Sequence, residues 1–410
     1  MATKENSGTT EPGPAWRAWG RALLGGAVMA VALGTGNALG EALVRALDLD
    51  GYPAQLLPAA LVSALAVPVV LALRTGRPGS GRPLGLGTPA SAAHGFARGL
   101  AVTTACAALV LGGGTAAGWV RWSGPDPAAL VSFLAGNALV AVLLEALPEE
   151  TTLRGYAWAS LRDRFGGVLS ALGTTLVFLL VPAASTVVQA GVAQAVGVAA
   201  PPMGLAPAGQ DPVAYPVLLS VFGLTLIAAR TAPGRAPLWA AIGTHVAFLS
   251  VNRVVFEGGR RDAGWSAHVS PVHAAILELG YLAATAAVFT GARLLASRGR
   301  ARASGPRTAV SGPRTAVSGP RTAVSGPRVR AAAAWLRPVL PSGPRATASG
   351  GRRVQPSAAT TYSVGVWAGG GSGLVPPVRV LSRASAPLPG AVSRGRPGTA
   401  VRRNPGTRRR

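Results

Sequence analysis

Glutamates and an arginine interrupt an otherwise apolar part of the chain, in the segment LLEALPEETTLRGYAWASLRDRFGG at residues 143–167. On a helix, Glu145 and Glu149 lie four residues apart and share a face. Glu150 and Arg154 share a face in the same way, so they can form an ion pair while Glu149 binds a metal ion or polarises water. Ionisable groups in an apolar span cost roughly 2.5 to 3.5 kcal/mol each, which makes them candidates for function. The alternative is an interfacial cap, in which the acidic residues mark a helix end that contacts water.

The composition of the chain indicates lipid as its main solvent. Of the 410 residues, 49% are hydrophobic and 13% are charged, whereas soluble globular proteins have about 25% charged residues. An ordinary cytosolic enzyme is therefore excluded. The single cysteine, Cys106, cannot form an intramolecular disulfide, and it excludes a multi-cysteine zinc site.

Eight stretches of the chain are apolar and long enough to cross a bilayer, which requires roughly 20 residues. They run over 22–47, 53–73, 97–118, 129–147, 168–200, 213–229, 237–256 and 272–296. The first is too long for a cleaved signal peptide, so it is expected to remain as a spanning helix. The sequence predicts an all-α fold, a polytopic transmembrane helical bundle of about eight spanning helices within residues 17–297, preceded by a polar segment at 1–16.

Arginines flank these stretches unevenly and predict how the chain is oriented. Arg17 and Arg21 precede the first stretch, and further arginines follow the second and the fourth. Because arginine-rich loops stay in the cytoplasm, we expect a multi-pass protein of the cell membrane with both termini cytoplasmic. This orientation requires the stretch 168–200, which contains Pro182, to cross once. It also leaves Arg253, Arg260 and Arg261 on the outer side.

The last part of the chain, residues 298–410, is a tail with 21 arginines and no acidic residue, in a protein whose formal net charge is +25. The motif SGPR starts at Ser304, Ser311, Ser318 and Ser325, within a seven-residue SGPRTAV period. Glycine and proline in each unit break helices, so we expect disorder rather than a coiled coil. Such a tail can attract anionic lipid headgroups. Nucleic acid is not expected as a partner, because aromatic interleaving and an RNA-binding signature are both lacking.

The segment PEETTLRGY resembles the EExxxR motif of the CPBP family, the CAAX-protease and bacteriocin-processing intramembrane metalloproteases. The resemblance includes the following RFGG turn, the helix with Phe178 and a later helix with His245, and it predicts a family core at about 129–257. It implies an endopeptidase that cleaves membrane-associated peptides or proteins with an activated water. Glu149 would be the general base or a metal ligand, and Glu150 with Arg154 the supporting ion pair. His245 would be a ligand or an oxyanion-stabilising group.

The sequence departs from the family pattern at two positions. The second motif, FxxxH, is here FLLVP, with Pro182 in place of the histidine. The third motif, HxxxN, has Leu249 in place of the asparagine. Asn252 follows His245 by seven residues and shares its helix face, so the predicted ligands of a divalent metal, zinc by preference, are Glu149, His245 and Asn252. Other replacements for the lost ligand are Glu145, Gln189, Gln194, His273 and Glu278.

Two other functions are compatible with the sequence. A catalytically inactive relative would serve as a membrane scaffold, a peptide-binding protein or an immunity protein. A proton-coupled small-solute transporter would use Glu41 and Glu145 as proton carriers, although the paired internal repeats expected of transporters are lacking. In the first span, Asn37, Glu41 and Arg45 form one polar stripe, in which Arg45 is expected to neutralise Glu41.

Overall fold

The structure is a computed structural model that describes residues 14–75, 83–200, 202–204 and 211–303, the side chains of 301–303 excepted. The predictions of a disordered tail and of its contact with anionic lipid fall, from residue 304 onward, outside the described residues. The same holds for residues 1–13 of the polar N-terminal segment.

Within the described part of the chain, eight helices are long and apolar enough to cross a membrane. This confirms the predicted all-α bundle and indicates a multi-pass membrane protein. The helices are α1 (Ala15–Ala46), α2 (Gly51–Thr75), α3 (Pro89–Ala116), α4 (Pro127–Arg162), α5 (Gly167–Val196), α6 (Ala214–Thr231), α7 (Pro237–Val255) and α8 (Pro271–Ala303). Two short strands, β1 (Arg121–Trp122) and β2 (Ala267–His268), pair antiparallel and join the turns before α4 and α8.

The fourth helix differs most from the sequence-based prediction. The apolar run was expected to end at residue 147, with the glutamates at or near the end of the span. Instead α4 continues to Arg162, and all residues from Glu149 to Leu161 are buried. The alternative prediction, that these acidic residues mark a helix end in contact with water, is therefore wrong. Apolarity ends at residue 147, but the helix persists because neighbouring helices enclose its polar half.

The other helices follow the predicted stretches closely. The stretch 168–200 forms the single helix α5 with Pro182 inside it, as a single crossing requires. The last helix, α8, continues to Ala303, six residues past the predicted boundary at 297. In α1, Glu41 and Arg45 form the expected ion pair. Their side chains are 39% and 55% exposed, so this pair belongs to the surface of the bundle.

Glycines allow α3 and α7 to approach each other closely, as small residues do between membrane helices. A Cβ added at Gly99 would lie 2.1 Å from the carbonyl oxygen of Ala240, and one at Gly243 would lie 2.1 Å from that of Phe96. A similar contact joins α1 to α4, where a Cβ at Gly25 would lie 2.9 Å from the carbonyl oxygen of Thr152. These contacts fix α7 and α4, the two helices that carry the candidate site.

Replacing Gly99 by alanine should destabilise the protein, because the new methyl group would force α3 away from α7. Overpacking of this kind costs about 1 to 3 kcal/mol. Thermal unfolding of the purified protein in detergent should show a clear fall in Tm for Gly99→Ala. Gly112 on the same helix has no heavy atom within 4 Å of an added Cβ, so Gly112→Ala is the matched control and should leave the Tm unchanged or slightly raised. Equal melting temperatures for both variants would contradict the close packing of α3 on α7.

Candidate functional site

Two π-helical segments in α4 lie on either side of Leu147–Glu149, and Glu150 begins the second. They run over Val142–Ala146 and Glu150–Ala157. In the first, the backbone N–H of Leu147 donates to the carbonyl of Val142; the next residue, Pro148, has no N–H to donate to Leu143. The hydroxyl of Ser63 on α2 donates to that carbonyl instead. Pro148 thus favours the wide turn, and Ser63 satisfies the carbonyl that it frees.

Two threonines stabilise the turn that follows. The Oγ1 atom of Thr151 donates to the carbonyl of Leu147 over 2.8 Å, and that of Thr152 donates to the carbonyl of Pro148 over 2.8 Å. Both side chains are buried. Hydroxyl groups that bond to the preceding turn satisfy backbone carbonyls where a helix departs from regular geometry. π-helical segments inside α-helices are frequent at functional sites, since they change the direction of neighbouring side chains.

Glu150 lies at the centre of a fully buried polar cluster. Its Oε1 atom is 3.3 Å from Nη1 of Arg154, one turn along α4, and 3.1 Å from Nδ1 of His245 on α7. The side chains of all three residues have no exposed surface. The expected ion pair of Glu150 with Arg154 is therefore present, and the same carboxylate also contacts the imidazole. A buried charge on Glu150 is stabilised from two sides.

Aromatic rings enclose this cluster. The guanidinium of Arg154 lies over the ring of Phe178, 4.3 Å from its centroid, which is a cation–π contact. Phe222 meets His245 edge-on, with ring centroids 4.8 Å apart, and stacks on Phe248 at 4.2 Å. The phenylalanine of the altered FLLVP motif therefore still supports the arginine of the first motif, although Pro182 replaces the histidine.

Glu149 completes a group of possible metal ligands. One ligand atom from each of Glu149, Glu150 and His245 lies within 4.8 Å of the others, and all three residues are buried. The second oxygen of Glu150, Oε2, accepts no hydrogen bond from any described residue. Carboxylate oxygens and imidazole nitrogens are both ligands of zinc in proteins. The residues present therefore fit a divalent cation, and Glu150, predicted only as a member of the ion pair, is one of the possible donors.

Asn252, the third predicted ligand, has a partner on another helix. Its Oδ1 atom accepts a hydrogen bond of 2.6 Å from the hydroxyl of Tyr281 on α8. Leu249 at the family's asparagine position is buried within the hydrophobic core. A ligand role for Asn252 stays a prediction, and its observed contact ties α7 to α8.

Glu145 is held away from a ligand role by an ion pair. Its carboxylate pairs with Arg253 on α7, and Arg253 also donates to Oδ1 of Asn137 over 3.0 Å. Arg253 lies in the last turn of α7, and its predicted position on the outer side of the membrane stays a prediction. An ion pair of this kind does not favour Glu145 as a proton carrier. Glu41 is likewise paired with Arg45, at the surface of the bundle, so neither glutamate supports the transporter alternative.

Two residues at the site were missed by sequence reasoning. Arg230 on α6 is buried and donates through Nε to the carbonyl of Arg154 over 3.2 Å. Its Nη2 atom donates to the carbonyl of Leu84 over 2.9 Å. Tyr215 at the start of α6 is also buried and interacts electrostatically with Glu149. An arginine at the end of an apolar span, such as Arg230, could have been identified from the sequence as a residue that needs a partner. A tyrosine at the start of a span, such as Tyr215, gives no such indication.

Comparisons with known proteins identify the segment that contains these residues. The family of type II CAAX prenyl endopeptidase Rce1-like proteins matches residues 131–251. This range includes the adjacent glutamates, Arg154 and His245. Comparisons with curated proteins and with solved structures find no significant match.

The buried contacts of Glu150 predict strongly non-additive effects of mutation. Glu150→Gln would leave the guanidinium of Arg154 in the interior without its counter-charge, and Arg154→Met would leave the carboxylate without its guanidinium. Breaking a buried pair in this way costs about 3 to 5 kcal/mol. The double variant should lose much less than the sum of the two, because neither charge is then left alone. Reversible unfolding in mixed micelles would measure the three free energies, and strict additivity would show that the two side chains do not interact.

Proposed function

We propose that this chain, whose residues 131–251 match the family of type II CAAX prenyl endopeptidase Rce1-like proteins, is an intramembrane endopeptidase of the CAAX-protease type. Its substrates are peptides or proteins held at the membrane. One observation carries the proposal: the adjacent carboxylates Glu149 and Glu150 meet the imidazole of His245, ninety-five residues after Glu150, in a cluster without exposed surface. Such a convergence of acid, base and possible ligand groups is what hydrolysis of a peptide bond requires.

In this proposal Glu149 acts as the general base. Its carboxylate takes a proton from a water molecule as the water oxygen attacks the scissile carbonyl, and it later delivers that proton to the leaving amine. Glu150 cannot easily perform this step, since its Oε1 already contacts both Arg154 and His245. The adjacent glutamates therefore have different tasks, and the ion pair holds the turn on which Glu149 is presented.

We infer from the contact with Glu150 which nitrogen of His245 carries the proton. An imidazole whose Nδ1 lies 3.1 Å from a carboxylate oxygen donates its Nδ1–H, which leaves the lone pair on Nε2. Histidines that ligate metal ions usually donate their other N–H to a carboxylate in this manner. Nε2 is therefore suited to orient the water or to bind a cation.

Glu149, Glu150 and His245 are the residues that would hold a divalent ion. When bound, the ion would polarise the scissile carbonyl and lower the pKa of water. The chain itself excludes bulk water with the rings of Phe178, Phe222 and Phe248, which strengthens the electrostatic effect of each charged group. Pro182 and Leu249 replace the histidine and the asparagine of the family pattern. In this chain, metal binding and catalysis would therefore rely on fewer side chains than the family pattern implies.

Peptide cleavage should depend on Glu149 and His245. The full chain in proteoliposomes should cleave a prenylated peptide that ends in a CAAX sequence, and Glu149→Gln or His245→Ala should lower the rate by about 10²- to 10⁴-fold, the range for loss of a general base. Mass spectrometry of the products would measure both. Glu41→Gln, which changes an exposed carboxylate, is the control and should keep full activity. If the parent protein binds the peptide without cleaving it, the result would contradict the proposed endopeptidase activity and favour a peptide-binding scaffold.

Metal content provides a second test that does not depend on finding the substrate. The purified chain should retain close to one zinc ion per molecule, and Glu149→Gln or His245→Ala should reduce this to background, because each removes a donor. Inductively coupled plasma mass spectrometry would measure the content, again with Glu41→Gln as the control. A low zinc content that neither substitution alters would contradict metal binding by this cluster and leave Glu149 as a base without a metal.

A further inference from the structure

A cavity of about 330 Å³ opens at one end of the bundle, between the start of α3 and the turn from α6 to α7. We call it the Arg98 cavity. Its volume lies within the range of about 300 to 1,000 Å³ that is typical of small-molecule sites. The polar side chains that line it are Thr88, Ser91, His94, Arg98 and Arg235. It is thus lined by two guanidiniums, an imidazole and two hydroxyls, and by no carboxylate.

The arginines of this cavity have no acidic partner among the residues that the structure describes. Neither Arg98 nor Arg235 takes part in any ion pair among the described residues. Arg98 is held in place, because its Nη1 atom donates to the carbonyl of Pro233. Its Nε atom is buried and makes no hydrogen bond to a described residue. A guanidinium that a backbone contact holds in the cavity wall, beside a second arginine, is suited to bind an anion with several oxygen atoms.

The helix ends beside the cavity already have partners for their backbone groups. Pro237 begins α7 and has no N–H to donate, and the N–H groups of Leu238 and Trp239 donate to the carbonyls of Gly85 and Ala236. At the start of α3, Thr88 and Ser91 cap the helix with each other's hydroxyls. The positive charge of the cavity therefore comes from its arginine side chains.

The surroundings of the cavity favour a lipid as the source of the anion. Leu84, four residues before Thr88, borders a cleft that is lined by two arginines, Arg21 and Arg74, and by one carboxylate, that of Asp163. Arginine is thus concentrated at this end of the bundle, which is the end where the helix charges predict the cytoplasmic leaflet. That leaflet contains the anionic phospholipids of the membrane.

We propose that the Arg98 cavity binds a phosphate group, supplied by the headgroup of an anionic phospholipid. Arg98 and Arg235 contact the phosphate oxygens, and the imidazole of His94 lines the same cavity. This proposal does not rest on the peptidase function, since none of these residues belongs to the Glu149 cluster.

Native mass spectrometry of the full chain, released from detergent, tests the proposal with three probes. They are a short-chain phosphatidylglycerol, a diacylglycerol with the same acyl chains but no phosphate, and inorganic phosphate. Arg235→Gln should weaken binding of phosphatidylglycerol about tenfold, as expected for loss of hydrogen bonds to a charged group, and Arg98→Gln with Arg235→Gln should weaken it further. The matched control removes two exposed arginines from the same end of the bundle, Arg17→Gln with Arg164→Gln, and should retain the parent affinity. The arginine-rich tail is common to all variants, so its lipid binding cancels.

Each outcome decides the proposal. Preference for phosphatidylglycerol over diacylglycerol, lost in the Arg235 variant and kept in the control, supports the lipid site. Inorganic phosphate that binds with the same dependence on Arg235, while phosphatidylglycerol does not, supports the phosphate site but overturns the lipid as its source. Equal binding of both lipids, or equal loss in the control, overturns the site. Arg235 is exposed, so this variant should fold even if Arg98→Gln does not, and its Tm serves as the check.

Discussion

Burial of one carboxylate determines how the centre of this bundle is built. Glu150 has no exposed surface, and a lone charge in that position would cost several kcal/mol. Arg154 and His245 stabilise it from α4 and α7, so these helices must approach until both contacts form. The close packing of α3 on α7 at Gly99 and Gly243 and of α1 on α4 at Gly25 follows from the same requirement. Larger side chains there would hold the helices apart and leave the charge unpaired.

The adjacent glutamates gain different chemistry from this arrangement. Glu149 and Glu150 are neighbours in the sequence but have different surroundings. Glu149 ends the regular α-helical turn 147–149, and Glu150 begins the second of the two π-helical segments that border this turn. Glu150 uses Oε1 for its contacts with Arg154 and His245, which leaves Oε2 as its possible metal donor. In the proposed mechanism Glu149, on a turn that Ser63 and the threonines stabilise, acts on water and substrate. The residues that support this turn keep the reactive group in position.

Much of the fold could be predicted from the sequence, because bilayer thickness and arginine placement constrain apolar spans strongly. The end of α4 could not be predicted, since hydropathy falls at Leu147 while the helix continues to Arg162. Whether a polar segment stays in the bundle depends on tertiary partners, and these come from distant positions. The family motif indicated the pair of Glu150 with Arg154 through its spacing of four residues.

The remaining contacts of the site depend on packing that no local pattern encodes. The contact of Glu150 with His245 joins residues on two helices, and the hydrogen bond from Tyr281 to Asn252 joins α8 to α7. Arg253 pairs with Glu145 on another helix, a contact that no spacing in the sequence indicates. Each of these arginine and histidine contacts pairs a charge that is costly to bury alone. The sequence therefore identifies which residues need partners more reliably than it identifies the partners.

The most direct test of this account is a distance between His245 and Glu150 in a lipid bilayer. Solid-state NMR with ¹⁵N-labelled histidine and ¹³C-labelled glutamate carboxylates would detect their dipolar coupling, and the His245→Gln variant would assign the signal. The account predicts a coupling between the His245 Nδ1 atom and the Glu150 carboxylate at hydrogen-bonding distance, with the proton on Nδ1. Absence of this coupling in a folded protein, with the His245 signal that of an imidazole facing hydrocarbon, would contradict it.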